Sequence, residues 1–182
     1  MIEERGPHVY LRLLQPSDEA ALAELRRRNE SFLTPWEPER PKGYVEPEAQ
    51  RARLRKAVSD VKEDRAYTFG IFTLEDDLVG TLTLSNVVRG VWQNATIGYF
   101  VDEQLNGRGI ATEAIGLAVK IAFAELKLHR VQGAVMPRNR GSLRALEKAG
   151  FRHEGEALRY LKIAGVWEDH LILAITVEDL QA

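Results

Sequence analysis

A glycine-bearing loop between a predicted strand and a predicted helix restricts the fold of this chain more than any other feature. The loop covers residues 104–111, with Gly107 and Gly109 one residue apart. It follows an apolar, β-rich segment at 95–101 and leads into a helix-forming run at 112–126. Paired glycines at a helix start let several backbone N–H groups point the same way, where the helix dipole also favours an anion. The order strand, loop, helix therefore predicts a phosphate-binding turn.

Two common phosphate-binding motifs do not match this loop. The dinucleotide fingerprint needs a third glycine, usually early in the domain, whereas this chain has Thr112 at that position and the loop lies past mid-chain. The nucleotide P-loop needs Gly-Lys-Ser/Thr after four spacers, and that sequence is absent. A different kind of pyrophosphate binder is predicted, with Arg108 as a mobile cation beside the amides.

Length and composition limit the classes of protein that fit. At 182 residues, with 45% hydrophobic and 29% charged residues, the chain can bury one good core, so we expect a single domain over residues 1–182. The formal net charge of −2 gives no general reason to bind nucleic acid or an anionic membrane. The absence of cysteine excludes a thiol nucleophile, and the 4 histidines lack ligand spacing, so no metal site is expected.

The amino-terminal residues carry no apolar core of a signal peptide, and no apolar run is long enough to span a membrane. A cytoplasmic protein without a membrane partner is therefore expected.

Hydrophobic periodicity and turn residues predict a mixed α/β (α+β) chain in which an antiparallel meander precedes the glycine loop. Ser17 is the predicted N-cap of the first helix, and the proline-rich residues 31–47 are predicted to be irregular. The predicted strands cover 9–14, 66–73, 78–87, 95–101, 130–136, 152–163 and 166–175, and the predicted helices cover 18–29, 48–63, 110–126 and 141–149.

A second motif lies at residues 137–151, after the strand that follows the glycine-loop helix. Asn139 and Ser142 open a short helix that ends at Gly150, and helix capping alone explains these residue types. Open α/β layouts, however, place ligands at the carboxyl ends of strands. Taken with the glycine loop, the motif predicts two helix N-termini that face one gap and bind a long, phosphate-bearing molecule.

These motifs resemble the GNAT superfamily of acetyl-coenzyme A-dependent N-acetyltransferases. The shared pattern is Gln-x-x-Gly-x-Gly before a helix, then Asn-x-x-Ser and Lys-x-Gly-Phe later in the chain. Residues 29–38, 84–90, 129–131 and 160–170 are similar to the RimJ/RimL-like subgroup, the ribosomal-protein-alanine N-acetyltransferases. The resemblance implies the GNAT fold, a mostly antiparallel mixed sheet with a splayed parallel strand pair that holds acetyl-CoA and with helices on both faces.

The resemblance also implies a coenzyme site. The main chain at the end of the preceding strand holds the pantetheine arm, the amides from Gln104 through Gly109 hold the pyrophosphate, and Asn139 contacts the coenzyme. The implied cofactor-binding residues are Phe100, Val101, Gln104, Asn106, Gly107, Arg108, Gly109, Ile110, Ala111, Thr112, Asn139 and Ser142.

The catalytic groups follow less directly from the resemblance. Many relatives carry a tyrosine as general acid where this chain has Leu146, so Ser142 is the expected replacement. Many carry a glutamate as base where this chain has Thr96. Glu37 is the first candidate base, although a solvated loop carboxylate is an equally good interpretation. Asp169 and His170 are weaker candidates.

The acceptor is expected to be the N-terminal α-amine of a protein, of the ribosomal-protein-alanine type, that attacks the thioester directly. Trp36, Asn86 and Arg89 are the expected substrate-binding residues. Phe32, Trp36 and Tyr44 are candidate walls of a peptide groove, but Phe32 and Trp36 are alternatively core anchors, the preferred interpretation for Phe32 and an equal one for Trp36. The basic helix face at 51–56 contacts the ribosome or, preferably, is solvated.

Two alternative functions stay open: acetylation of a small amine, such as a polyamine, amino acid or antibiotic, and a non-catalytic acyl-CoA-binding module. The oligomeric state, monomer or homodimer, also stays open.

Overall fold

The computed structural model describes residues 2–180 as a mixed sheet covered by helices. The strands are β1 (Glu3–Arg5), β2 (Val9–Leu13), β3 (Tyr67–Thr73), β4 (Leu78–Val88), β5 (Asn94–Val101), β6 (Arg130–Val135), β7 (Arg152–Ile163) and β8 (Val166–Thr176). They form one 8-stranded sheet in the order β1-β2-β3-β4-β5-β6-β8-β7. The β5–β6 pair is parallel and the other neighbouring pairs are antiparallel.

The helices are α1 (Glu19–Arg28), α2 (Glu30–Leu33), α3 (Pro47–Lys62), α4 (Ile110–Lys120) and α5 (Arg140–Lys148). A π-helical turn at Ile121–Glu125 continues α4, and 3-10 turns lie at Pro16–Asp18, Thr34–Trp36, Glu103–Leu105 and Val177–Leu180. No helix within residues 2–180 is long and apolar enough to cross a membrane.

Neighbouring side chains of β2 belong to two different core clusters, and this shows that helices cover both faces of the sheet. Leu11 belongs to the core cluster that contains residues of α4 and α5, whereas its neighbour Tyr10 belongs to the cluster that contains residues of α1 and α3. Successive side chains of a strand point to opposite faces. The α/β (α+β) sheet with helices on both faces, expected from the family resemblance, is therefore confirmed.

The parallel strands part at their carboxyl ends. Their pairing runs from Asn94 opposite Arg130 to Ile97 opposite Gly133 and stops there. Beyond this point β5 remains paired with β4 up to Val101, and β6 remains paired with β8 up to Val135. The splayed strand pair implied by the family resemblance is confirmed, and it opens a gap directly before the glycine loop.

The structure differs from the predicted elements in three places. The strand β1 was not predicted, because its sequence Glu-Glu-Arg carries no apolar alternation. Ser17 lies inside the 3-10 turn, and Asp18 precedes the first residue of α1. Residues 31–47 were predicted to be irregular, yet they begin with α2 and a 3-10 turn, because Pro35 fits the first turn of a helix.

Candidate active site

Two adjoining cavities occupy the gap between β5 and β6. The loop cavity has a volume of about 700 Å³ and is lined by the glycine loop, the start of α4 and one side of α5. The strand cavity has a volume of about 350 Å³ and is lined by the facing ends of β5 and β6 and by residues from α1 to α3. The residues that line both cavities, and so mark their junction, are Leu33, Trp36, Tyr99, Phe100, Asn139 and Ser142.

The glycine loop adopts a conformation that only glycine accepts readily. Gly107 has φ 78° and Gly109 has φ 83°, both in the left-handed region. A Cβ atom at either position would meet nothing within 4 Å, so the backbone conformation and not lack of space requires glycine. The loop thereby turns the chain into α4 with its amides exposed to the cavity.

The backbone amides of the glycine loop that have no hydrogen-bond partner lie a few residues further along the sequence than expected. The N–H of Glu103 donates to Asn29 Oδ1 at 2.9 Å, and the N–H of Gln104 donates to Asp102 Oδ1 at 3.2 Å. The next two amides donate to carbonyls of the same turn. Among residues 2–180, the N–H groups from Gly107 to Thr112 have no partner. The expected amide cradle from Gln104 to Gly109 is therefore corrected to residues 107–112, at the N-terminus of α4.

The expected coenzyme-binding residues line the loop cavity, with two exceptions. Gln104 does not line it, because the 3-10 turn uses its amide. Arg108 does not line it either, and it is exposed.

Basic side chains that the sequence interpretation missed line the loop cavity. They are Arg138, Arg140, Arg144 and Lys148, and no acidic residue of the described chain lines this cavity. The four-residue spacing of the last three along α5 puts them on one helix face, and that spacing was the available signal. A loop of free amides opposite four cations fits a molecule with several phosphate groups.

An internal anchor fixes the glycine loop to α1. The Arg28 guanidinium lies 2.6 Å from Asp102 Oδ2, and Asn29 accepts the hydrogen bond from Glu103 already described. Asn29 and Asp102 are both buried. The loop is thus attached to the helix that precedes the acceptor-side residues.

Ser142 lies at the junction of the two cavities, and its hydroxyl contacts that of Tyr99, a contact that the sequence did not predict. Asn139 Oδ1 accepts from the Ser142 N–H at 3.2 Å, so Asn139 caps α5. The Ser142 Oγ lies 2.9 Å from the Tyr99 Oη. Burial raises the pKa of Tyr99 to about 12, so the phenol stays protonated. Leu146 is buried and packs near Gly133, where many relatives have a tyrosine.

Glu37 lines the strand cavity, but both of its oxygens are paired. Oε1 lies 2.6 Å from Arg26 Nη1, and Oε2 accepts from Arg40 Nε at 3.2 Å. Burial by itself raises the pKa of Glu37, but the two arginines outweigh burial and the pKa lies below its ordinary value. A carboxylate held in this way is a weak proton acceptor, so the geometry argues against the expectation that Glu37 is the base.

The two weaker base candidates differ in position. His170 is 3% exposed and lines the strand cavity, and its Nδ1 donates to the Glu168 carbonyl at 3.0 Å. In the neutral ring this bond leaves the lone pair on Nε2. Asp169 lines neither cavity, and its Oδ1 accepts from the Arg159 N–H at 2.7 Å. Thr96 also lines neither cavity.

Trp36 lies at the junction, as expected for a substrate-binding residue. The Arg138 guanidinium lies 4.9 Å from the centre of its ring and donates to the Pro35 carbonyl at 3.2 Å. Phe32 lines the loop cavity, whereas Tyr44 lines neither.

Asn86 and Arg89, the other two expected substrate-binding residues, are not brought to the site. They lie near the Asn94 end of β5, because Val88 pairs with Asn94 and the glycine loop follows the other end of that strand. Arg89 Nη2 lies 2.7 Å from Asp64 Oδ1 and its Nη1 donates to the Leu126 carbonyl at 2.5 Å. The expectation for these two residues is therefore corrected.

No group of three or more His, Asp or Glu side chains in the described part of the chain is arranged to hold a metal ion. The polar groups of the site are amides, cations, hydroxyls, one histidine and the Glu37 carboxylate.

Comparisons with known proteins agree with this geometry. The family description "Acetyltransferase (GNAT) domain" matches residues 8–152. The chain is 47% identical over 176 residues to a probable N-acetyltransferase, YjcK, of Bacillus subtilis, covering 96% of this chain and 97% of that protein. It is 34% identical over 172 residues to the [ribosomal protein uS5]-alanine N-acetyltransferase of Escherichia coli, covering 94% and 89%.

Among solved structures, RimJ of Mycobacterium smegmatis in complex with CoA-disulfide superimposes with a TM-score of 0.93 at 34% identity, covering 97% of this chain and 88% of that one. With the splayed strands, the amide cradle and these matches in place, the chain belongs to the GNAT family and is an acetyl-CoA-dependent N-acetyltransferase.

Proposed function

We propose that this enzyme acetylates the N-terminal α-amine of a protein, of the ribosomal-protein-alanine type. The observation that carries the proposal is the junction of the two cavities at Ser142 and Tyr99, where a donor bound in the loop cavity meets an acceptor that enters the strand cavity. The 34% identity to an enzyme named for the alanine of ribosomal protein uS5 supports a protein N-terminus as that acceptor.

In this proposal acetyl-CoA, the acyl donor, lies in the loop cavity. The amides of residues 107–112 and the cations of α5 bind its phosphates, and the exposed main chain around Phe100 and Val101 orients its pantetheine arm. The parted strands supply the polar backbone groups that such an arm needs.

The reaction joins the amine nitrogen to the acetyl carbon and breaks the carbon–sulfur bond. The Ser142 hydroxyl donates a hydrogen bond or a proton to the departing sulfur, and the Tyr99 hydroxyl, 2.9 Å away, passes a proton on to Ser142. The proton that the nitrogen loses goes to His170 Nε2, directly or through water, because that lone pair has no partner among residues 2–180. After the products leave, His170 releases its proton to solvent and Tyr99 takes one up, so the cycle closes.

An α-amine suits a site with a modest base. Its ordinary pKa of about 7.7–8.0 leaves an appreciable neutral fraction near neutral pH, whereas a lysine amine at about 10.4 is almost entirely protonated. Glu37 acts in this proposal as the anion that orders Arg26 and Arg40, and not as the base.

The test is acetyl transfer to a panel of acceptors. The purified enzyme is given acetyl-CoA with alanine-starting peptides copied from ribosomal protein N-termini, the same peptides with a blocked α-amine and an internal lysine, and small amines. Transfer to the free α-amine only supports the proposal. Turnover confined to polyamines, amino acids or antibiotics contradicts it.

A further inference from the structure

Three arginines line the acceptor side of the strand cavity. They are Arg26, Arg40 and Arg53, and Glu37 is the single acidic residue of the described chain that lines it with them. Its other titratable lining residues are Tyr99 and His170. One carboxylate against three guanidinium groups leaves an excess of positive charge in a pocket that must receive a cationic or neutral amine.

The three guanidinium groups form one cluster around a single ring. Their central carbons lie 5.8 Å, 4.5 Å and 4.7 Å from the centre of the Tyr44 ring for Arg26, Arg40 and Arg53 respectively. Each is within the range of a cation–π contact. All three cations therefore surround the Tyr44 ring, and all three line the strand cavity.

Arg53 is fixed without a carboxylate partner. Its Nη1 donates to Gln50 Oε1 at 2.7 Å, and Gln50, which is fully buried, in turn donates to the Tyr44 carbonyl. Within residues 2–180, no Asp or Glu forms an ion pair with Arg53. Arg53 was expected on a solvated basic face, and it is exposed, but it also lines the strand cavity. Its neighbours Arg51 and Lys56 on that face pair with Glu19 and Asp60.

Arg26 also has unused donor capacity. It is 6% exposed, one of its terminal nitrogens pairs with Glu37, and its Nε is buried with no partner among the described residues. Its guanidinium lies 4.3 Å from the centre of the Phe100 ring, and Phe100 lies at the junction of the two cavities. The excess positive charge is therefore near the point where the amine must react.

Clustered like charges in a partly buried site repel each other and favour an anionic ligand. The planar forks of arginine match the two oxygens of a carboxylate. Desolvation is the main cause that lowers the pKa of Arg53, and the charges of Arg26 and Arg40 lower it further while Tyr44 and Glu37 act in the opposite direction.

We propose that the Arg26–Arg40–Arg53 cluster is a subsite for a carboxylate on the acceptor, so that the enzyme prefers α-amines followed by an acidic side chain at the second or third residue. The inference rests on the proposed α-amine acetylation for the form of the acceptor, a peptide. The carboxylate preference itself follows from the charges of the strand cavity.

The test compares kcat/KM for short alanine-starting peptides that differ only by Glu or Gln at the second or the third residue. We expect the wild-type enzyme to prefer the Glu peptide at one of these positions by about tenfold, the size of one hydrogen-bonded charge contact. Arg53→Gln should reduce this ratio by about threefold or more. Arg55→Gln is the matched control, since Arg55 lies on the same helix and lines neither cavity, and it should leave the ratio unchanged.

Equal kcat/KM for the Glu and Gln peptides at both positions overturns the inference, as does a ratio that Arg53→Gln and Arg55→Gln leave equally intact. If no peptide is acetylated, the proposed function fails, and the same comparison is made between an ω-amino acid and its amide. A preference for the free carboxylate then supports the subsite, and equal rates overturn it.

Discussion

The hydroxyl groups of Tyr99 and Ser142 lie 2.9 Å apart, although the two residues come from β5 and α5 and are separated by 43 positions in the chain. Both line the two cavities, so the pair lies where donor and acceptor meet. A hydroxyl backed by a second hydroxyl can give up a proton and receive one from its neighbour during the reaction, and the pair regains the lost proton from solvent after the products leave.

Ser142→Ala should lower kcat more than it weakens coenzyme binding. We expect a loss in kcat of roughly tenfold to a hundredfold, because general acid assistance is removed while the amides and cations of the loop cavity stay in place. Steady-state kinetics and calorimetric titration with CoA separate the two effects. Unchanged kcat with unchanged affinity would remove Ser142 from the mechanism.

Tyr99→Phe should lower kcat by about tenfold, and its effect should not add to that of Ser142→Ala, since the two residues act as one unit. A double-mutant cycle on kcat measures this coupling. Tyr67→Phe is the control, because the Tyr67 hydroxyl donates to Asp64 at 2.7 Å and lines neither cavity. Additive effects of Tyr99→Phe and Ser142→Ala would contradict proton transfer between the two hydroxyl groups.

His170→Gln should lower kcat more than it weakens coenzyme binding, whereas Glu37→Gln should preserve the shape of the pH profile of kcat/KM. The reason is that Glu37 has a lowered pKa and stays ionised across the working range, while His170 has a lone pair free. The profiles of both variants are measured with one peptide. A limb lost in Glu37→Gln and kept in His170→Gln would restore Glu37 as the base.

Glu37→Gln should also destabilise the fold in a pH-dependent way. Because the folded pKa of Glu37 is lowered, its contribution is fully present above the ordinary glutamate value of about 4.3 and is lost as the pH falls through the folded value. At neutral pH we expect a loss of about 2 kcal/mol in the free energy of unfolding, since buried Arg26 loses its carboxylate.

Urea unfolding of both proteins at neutral and acid pH measures this loss, and the difference between them should shrink in acid. Glu24→Gln is the control, because its pair with Arg27 is exposed and should contribute little.

Gly109→Ala and Gly116→Ala should have opposite effects on stability. Gly109 has φ 83°, so alanine there costs about 1–2 kcal/mol, whereas Gly116 lies inside α4 with open space around it and alanine should stabilise the fold by up to about 1 kcal/mol. Thermal unfolding measures whether each substitution raises or lowers the stability of the fold. Gly109→Ala should in addition weaken CoA binding, because the amide cradle shifts.

The parts of the site that local sequence determines were predictable. The left-handed glycines and the Asn139 cap depend on residues within one turn, so their positions in the sequence carried the information. Most of the residues predicted to bind the coenzyme accordingly line one cavity, between the glycine loop and α5.

The remaining parts depend on contacts between distant segments. The Tyr99–Ser142 bond and the position of Arg53 at the edge of the strand cavity arise only when β5, α5 and α3 pack around the gap. Arg89 was misplaced because sequence proximity to a strand does not say which end of the sheet the residue occupies. Helical periodicity likewise cannot distinguish a cation on a solvated face from one that reaches a cavity.

The gap between β5 and β6 is lined by residues from two separate stretches of the chain. The arginine cluster and Glu37 come from residues 26–53, before the meander, whereas the loop cavity is lined mainly by residues 99–148. Arg26, Glu37, Arg40 and Arg53 line the strand cavity and not the loop cavity. If the proposed acetylation is correct, substitutions at these four positions change which amine is accepted and leave the lining of the coenzyme cavity as it is, so relatives can diversify their acceptors there.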